Sequence, residues 1–413
     1  MERITAKYYI ETPYPVEEAA QVLAGEQSSG TFVAVPGETE ELKQRFAARV
    51  ERIEELETVN QPAIPGATSK DGLYRRANVE VSWSVENFGY NLPVLVSTLQ
   101  GNLYEITQFT GLKLMDIELP ASYREHFKGT RFGIEGCRKS TGVEGRPLIG
   151  TIIKPSIGMT PQDTAALVKT LAEAGIDFVK DDELMSSAAN SKFEDRVDAI
   201  MAVINVHADK TGKKVMYAFN LSDEVDSMLR RYEYIIKAGG TCAMVSINSV
   251  GLSGVKKICD QGELVIHGHR NGWGMLNRHP LLGIEFPAYQ KIWRLAGVDQ
   301  MHVNGIQNKF WESDDSVVRS IEACLKPLFG HTVLPVVSSG QWGGQAFETW
   351  HRTQTTDLLY MAGGGIMAHP DGPGGGVRAL QQAWEGAVKG MSLEQAAAYY
   401  PEFGKSVEKF GKV

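Results

Sequence analysis

Two textures divide the chain. Up to about residue 120, strand-like alternation and helix-like spacing take turns. Lys7 to Pro13 alternates as a strand, and Pro15 to Ala24 carries helix formers behind a proline at an allowed position. Phe32 to Val35 reads as a short strand, Thr39-Glu40-Glu41 opens a helix running to about Leu56, and Gly72 to Ser84 is a second long strand. Asn91 to Thr107 reads as helix and Gly111 to Leu119 as strand, which together predict an α+β (ferredoxin-like) domain over residues 1–123. A charged, glycine-bearing stretch, 124–146, reads as a linker.

From Pro147 onward, short apolar runs recur between helical segments. They are Leu148 to Lys154, Asp177 to Asp182, Lys214 to Asn220, Cys242 to Ile247, Leu264 to Arg270, Gln300 to Asn304, Thr332 to Ser338 and Leu358 to Gly363. Apolar runs of this length suit strands buried on both faces. Eight β-then-α units predict a (β/α)8 TIM barrel over 147–413, with carboxy-terminal helices closing the chain. Chemistry in that fold sits at the carboxyl ends of the strands, and the polar residues cluster there.

The second run ends Lys180-Asp181-Asp182-Glu183. Alternation puts Lys180 and Asp182 on one face, and a bend swings Glu183 towards them. Two carboxylates facing one point need a cation, and hard oxygen ligands suit Mg2+. Lys180 is itself one such cation, giving a buried structural ion pair; alternatively its amine adds CO2 and the carbamate becomes a third oxygen ligand. Spacing leaves both open.

The first run ends Lys154-Pro155-Ser156, a candidate acid/base or a plain structural lysine. The fifth ends His267-Gly268-His269-Arg270, where a His-x-His zinc pair has to be weighed against an acid/base at His269 and an anion clamp at Arg270; His267 is equally a satisfied core histidine. The sixth contains His302 and is followed by Gly305 and Lys309, a loop that either carries a cation over a substrate or exposes an ordinary lysine. Ser338-Ser339-Gly340 and Gly363-Gly364-Gly365 end the last two runs, where barrels cradle phosphate with backbone N–H groups.

Charge and composition then exclude rather than identify. With 413 residues, Lys+Arg 42 against Asp+Glu 50 and a formal charge of -8, no basic field draws nucleic acid. Four separated cysteines give neither a zinc ribbon nor a disulfide framework, which fits a reducing cytoplasm. No apolar run reaches the ~18 to 20 residues of a membrane span.

Gly150-Thr-Ile-Ile-Lys-Pro155, Asp177 to Glu183, His267 to Arg270, His302 with Lys309, Ser338 to Gly340 and Gly363 to Gly365 resemble the RuBisCO large-chain superfamily in order and spacing. Glu26 to Thr31 and Gly101-Asn102 are similar to motifs of its amino domain. The resemblance implies Mg2+ held by Lys180 as a CO2-derived carbamate with Asp182 and Glu183, and Lys154, His269 and Lys309 as catalytic groups. It implies that Thr31, Gly340, Gly363 and Gly364 hold a phosphate, with Arg270, His302 and Ser338 around a second anionic site. Glu26, Thr31 and Asn102 would come from a partner subunit, making the active unit at least a homodimer.

Carboxylating members have a second lysine where this chain has Ser156 and a further histidine where it has Trp273. The departures point away from CO2 fixation and towards a RuBisCO-like protein of the fourth form. His267 to Gly274 and His302 to Gly305 resemble the group acting on 3-oxo-isoapionate 4-phosphate. The alternatives are a diketone-phosphate enolase of methionine salvage, a true carboxylase, and a non-catalytic phospholigand binder.

Overall fold

The computed structural model describes residues 2–29, 36–185 and 187–411 and comprises two compact units. The first contains 1–128 together with 272–295, and the second 129–271 together with 296–413. The second unit's chain therefore leaves between its fifth and sixth barrel strands and returns.

In the first unit, β1 (Arg3–Thr12), β2 (Arg49–Val59), β3 (Tyr74–Ser84) and β4 (Gly111–Glu118) form an antiparallel sheet. The order is completed at one edge by β10 (Leu282–Ile284), which runs parallel to β4. Alternation drives the assembly: Ile4, Ala6, Tyr8 and Ile10 of β1 are buried, and the helix Val16–Glu26 packs Ala19, Ala20 and Leu23 inward.

The helix expected from Thr39 to Leu56 is corrected: it spans only Glu40–Phe46, and Arg49 onward is the edge strand β2. Glu, Arg and Leu favour helix locally, but pairing with β3 decides the conformation, and the exposed charges of β2 shield the sheet edge. The helix expected over Asn91 to Thr107 is shorter too, Leu92–Leu99, followed by a 3-10 turn at Gly101–Glu105. The strand expected at Phe32 to Val35, and Thr31 beside it, lie outside the described residues.

In the second unit, β5 (Leu148–Ile152), β6 (Phe178–Lys180), β7 (Met216–Asn220), β8 (Cys242–Ser246), β9 (Val265–His269), β11 (Gln300–His302), β12 (Leu334–Val337) and β13 (Leu359–Met361) close into a parallel barrel. All eight predicted runs are its strands. Leu148, Phe178, Met216, Met244, Val265, Leu334 and Leu359 belong to one buried cluster joined by Ile134 and Cys137.

Those last two residues belong to a helix, Gly133–Thr141, in the stretch read as a linker. Asp299 positions its start, Oδ1 accepting the backbone N–H of Arg131, Phe132 and Gly133 while Oδ2 accepts that of Ile266. At the opening of β6, buried Asp177 pairs with Arg146 (2.6 Å) and Lys213 (2.6 Å) and accepts Ile149 N–H. No helix among the described residues is long and apolar enough to cross a membrane.

Candidate active site

The carboxyl end of β6 places Lys180 in the barrel with its side chain 1% exposed. Its Nζ donates to Asp181 O at 2.7 Å and lies 3.3 Å from Glu183 Oε2. Burial pulls the Lys180 amine below its ordinary range against the raising influence of Glu183 and Asp182, which favours the neutral form that CO2 requires. Burial pushes the Glu183 carboxyl up, but Lys180, a backbone hydrogen bond and Lys154 together outweigh it and hold the group below the usual range.

Asp182 accepts Lys154 Nζ at 2.5 Å, and the same Nζ donates to Ser156 Oγ at 2.7 Å. Ser156, where a carboxylase has a lysine, thus orients Lys154. Asp181 points the other way, to Arg196 (3.2 Å), Tyr217 (2.6 Å) and Asn220 N. Asn220 in turn donates from Nδ2 to Glu183 O and Met185 O, which fixes the bend that turns Glu183 inward.

Oxygen donors here are two carboxylates plus whatever Lys180 supplies. Among the described residues no group of three His, Cys, Asp or Glu side chains is arranged to hold a metal. Two carboxylates plus a carbamate oxygen on Lys180 would make the all-oxygen set that suits Mg2+. Both ring nitrogens of His267 are engaged within the protein, so the His267/His269 pair does not offer two free zinc ligands.

A chain of buried imidazoles explains that use. Gln300 lies opposite His267 in the β9/β11 register. Its Nε2 faces two sulfurs, Cys137 Sγ (3.2 Å) and Met216 Sδ (3.4 Å), so its Oε1 accepts from His267 Nδ1 at 2.8 Å. His267 Nε2 then accepts from His302 Nε2 (2.8 Å), and His302 Nδ1 accepts the Ser338 hydroxyl (3.0 Å). Burial holds both histidines well below the ordinary range, hence neutral, as this pattern requires.

His269 shares the pocket, its ring 4.4 Å from that of His302. Burial lowers its pKa to about 3. Its Nδ1 accepts Asn271 N–H at 3.3 Å, which leaves Nε2–H directed at Glu183 Oε2, 3.4 Å away.

Arg270 pairs with Glu312 at 2.9 Å, both side chains out of water. Glu312 ends the loop that carries Lys309, whose backbone N–H donates to Ser339 O (3.1 Å) while its exposed Nζ lies over the Phe310 ring. Gly340 has φ 84° and is packed so closely that an added Cβ would meet Lys309 Cβ at 3.2 Å. Gly364 faces open space and Gly363 nearly so. The glycines thus leave backbone accessible beside Lys309's loop and β13.

In the first unit, Glu26 and Asn102 are both exposed. The Gln27 carboxamide joins their segments, accepting Asn102 N–H at 2.9 Å and donating to Ser97 O at 3.2 Å. The barrel residues Lys154, Lys180, Asp182, Glu183 and His269 are thus brought together directly, and His302 and Ser338 through hydrogen bonds. Sequence reasoning missed Glu312, Gln300 and Asn220; only Asn220, a polar residue closing an apolar strand, carried a readable signal.

Comparison with known proteins accords with these features. The family ribulose bisphosphate carboxylase large chain matches twice, its N-terminal domain over residues 2–123 and its catalytic domain over 133–410. A 3-oxo-isoapionate-4-phosphate decarboxylase of Rhizobium etli is 50% identical over 411 residues, 98% of each chain. A 3-oxo-isoapionate-4-phosphate transcarboxylase/hydrolase of Xanthobacter autotrophicus is 51% identical over 404 residues, 97% of each. The crystal structure of a rubisco-like protein from Burkholderia fungorum superposes with a TM-score of 0.93 at 42% identity, covering 99% of this chain and 100% of that one.

Proposed function

This chain belongs to the ribulose bisphosphate carboxylase large-chain family, and on that footing we propose that it is a RuBisCO-like enzyme acting on 3-oxo-isoapionate 4-phosphate. It either decarboxylates this acid or transfers the carboxyl group and hydrolyses the product. The observation that carries the reading is Lys180, a buried amine flanked by Glu183 with Asp182 and Lys154 alongside, in a chain half identical to two enzymes named for that substrate.

Lys180 as carbamate, with Asp182 and Glu183, would hold Mg2+. When bound, the ion stabilises negative charge developing on the substrate's oxygens. In the decarboxylation, the bond from carbon to carboxylate breaks, CO2 leaves, and the electron pair passes into an enediolate. Lys154 returns a proton to that carbon, and Ser156 and Asp182 hold its ammonium in place for the transfer. His269 directs its Nε2–H at Glu183 and keeps that carboxylate turned inward. Gly340, Gly363 and Gly364 receive the phosphate on backbone N–H groups, and Lys309 covers it from the adjacent loop.

Glu26, Thr31 and Asn102 serve the mouth of a second copy, so the working assembly is a homodimer or a multiple of one. The test is incubation of the enzyme with Mg2+, bicarbonate and 3-oxo-isoapionate 4-phosphate, with products read by NMR. A tetrulose phosphate establishes decarboxylation, glycolate with 3-phosphoglycerate establishes transfer and hydrolysis, and an unchanged substrate overturns the proposal.

A further inference from the structure

The three groups expected to form a second anionic site are all committed to protein partners. Arg270 Nη2 donates to Glu312 Oε2 at 2.9 Å. Glu312 itself is held by Asn304 Nδ2 on Oε2 (2.5 Å) and by Ser316 Oγ on Oε1 (2.9 Å), and it is 4% exposed. Because it stands three residues beyond Lys309, the loop after β11 folds its own carboxylate onto the arginine at the end of β9. A second dianion at Arg270 would have to displace that carboxylate or lie beside it, and a buried carboxylate stripped of its partner is costly.

His302 uses both ring nitrogens internally, and the direction of its bonds follows from Gln300. An amide, unlike an imidazole, cannot exchange its donor for its acceptor by moving a proton. The Ser338 hydrogen is consequently spent on His302 Nδ1, and what its oxygen has left to offer is a lone pair. A lone pair repels phosphate oxygen and accepts from a hydroxyl. Ser339 reinforces the arrangement by donating to Asn304 Oδ1 at 2.6 Å, which turns Asn304 Nδ2 to Glu312.

We propose that the mouth segment formed by Arg270, His302 and Ser338 receives an uncharged, hydroxyl-bearing end of the substrate, and that Glu312 is the residue that excludes a second phosphate there. The inference rests on reading the barrel mouth as the active site, and it adds which end of the ligand lies where. One phosphate cradle remains, at Gly340, Gly363 and Gly364.

Calorimetric titration of the full-length protein, with Mg2+ and bicarbonate present, compares D-ribulose 5-phosphate with D-ribulose 1,5-bisphosphate. The wild type is expected to bind the bisphosphate no more than about threefold tighter than the monophosphate. In Glu312→Gln the freed guanidinium is expected to tighten the bisphosphate by about tenfold or more while the monophosphate moves by less than about threefold.

The proposal is overturned by a wild type that prefers the bisphosphate about tenfold or more, or by a folded Glu312→Gln that still binds both alike. Failure of the monophosphate to bind overturns it as well, since one occupied cradle is required. Should Glu312→Gln not fold, the wild-type comparison decides alone. None of these readouts needs turnover, so an unchanged 3-oxo-isoapionate 4-phosphate in the product assay leaves them interpretable.

Discussion

Lys180 Nζ lies 3.3 Å from Glu183 Oε2, and burial works against the charge that would make this a durable ion pair. A lysine in this position is poised to exchange its proton for CO2. Preincubation with bicarbonate is therefore expected to raise Mg2+ affinity in calorimetric titrations of the wild type. If Lys180 holds the metal as proposed, Lys180→Ala should lose that response and retain less than about 1% of the activity. Equal Mg2+ binding with and without bicarbonate would remove the carbamate from the scheme.

Lys154 sits between Ser156 and Asp182 without being enclosed by them. Lys154→Met is expected to lower kcat by about 10²- to 10⁴-fold, the usual contribution of a positioned acid/base. Mg2+ affinity should change far less, because the one hydrogen bond from Lys154 to the proposed metal set is to Asp182. A parallel collapse of kcat and Mg2+ binding would recast it as a structural lysine.

The hydrogen-bond chain from Gln300 to Ser338 makes a spectroscopic prediction. Nitrogen NMR of the wild type is expected to show His302 with a proton on Nε2 and none on Nδ1. Gln300→Leu strips His267 of its acceptor and should cost about 1–3 kcal/mol in denaturant unfolding. The same variant should show a second His302 tautomer, an effect that loss of packing alone would not produce.

Asp177 offers a pH prediction away from the reacting centre. Burial raises its pKa, but Arg146 and Lys213 outweigh burial and hold the carboxyl below the usual range. Its stabilisation is thus present above the unfolded value of about 3.9 and fades as pH falls through the lower folded value. Asp177→Asn should cost about 1–3 kcal/mol near neutrality, because Arg146 and Lys213, each about a third exposed, return to water when their carboxylate is removed. The gap between the two unfolding curves should begin to narrow only below pH ~4 and close once pH passes below the lower folded value.

The barrel was legible because strands buried on both faces leave short apolar runs, each ending where polar groups gather. Lys180, Asp182 and Glu183 were legible for the same reason: a charge cluster closing such a run has few other places to be. Residues 49–59 were not, since their Glu, Arg and Leu content suits a helix in isolation and only β3 makes them a strand. Three-residue β10 carries too little pattern to announce itself. Glu312 and Gln300 act through partners 42 and 33 positions away, and no local period encodes a pairing between loops and strands.

The route taken by β10 has a consequence for dissecting the gene. The polypeptide passes between its two units at 128/129, 271/272 and 295/296, so no single cut separates them. A fragment ending near residue 128 would keep β4 but lose the strand that covers its edge, and Lys113 would lose Glu285, its ion-pair partner at 2.9 Å. Such a fragment should associate through that bare edge. A separable amino-terminal module would have to carry 272–295 grafted back through a designed connection.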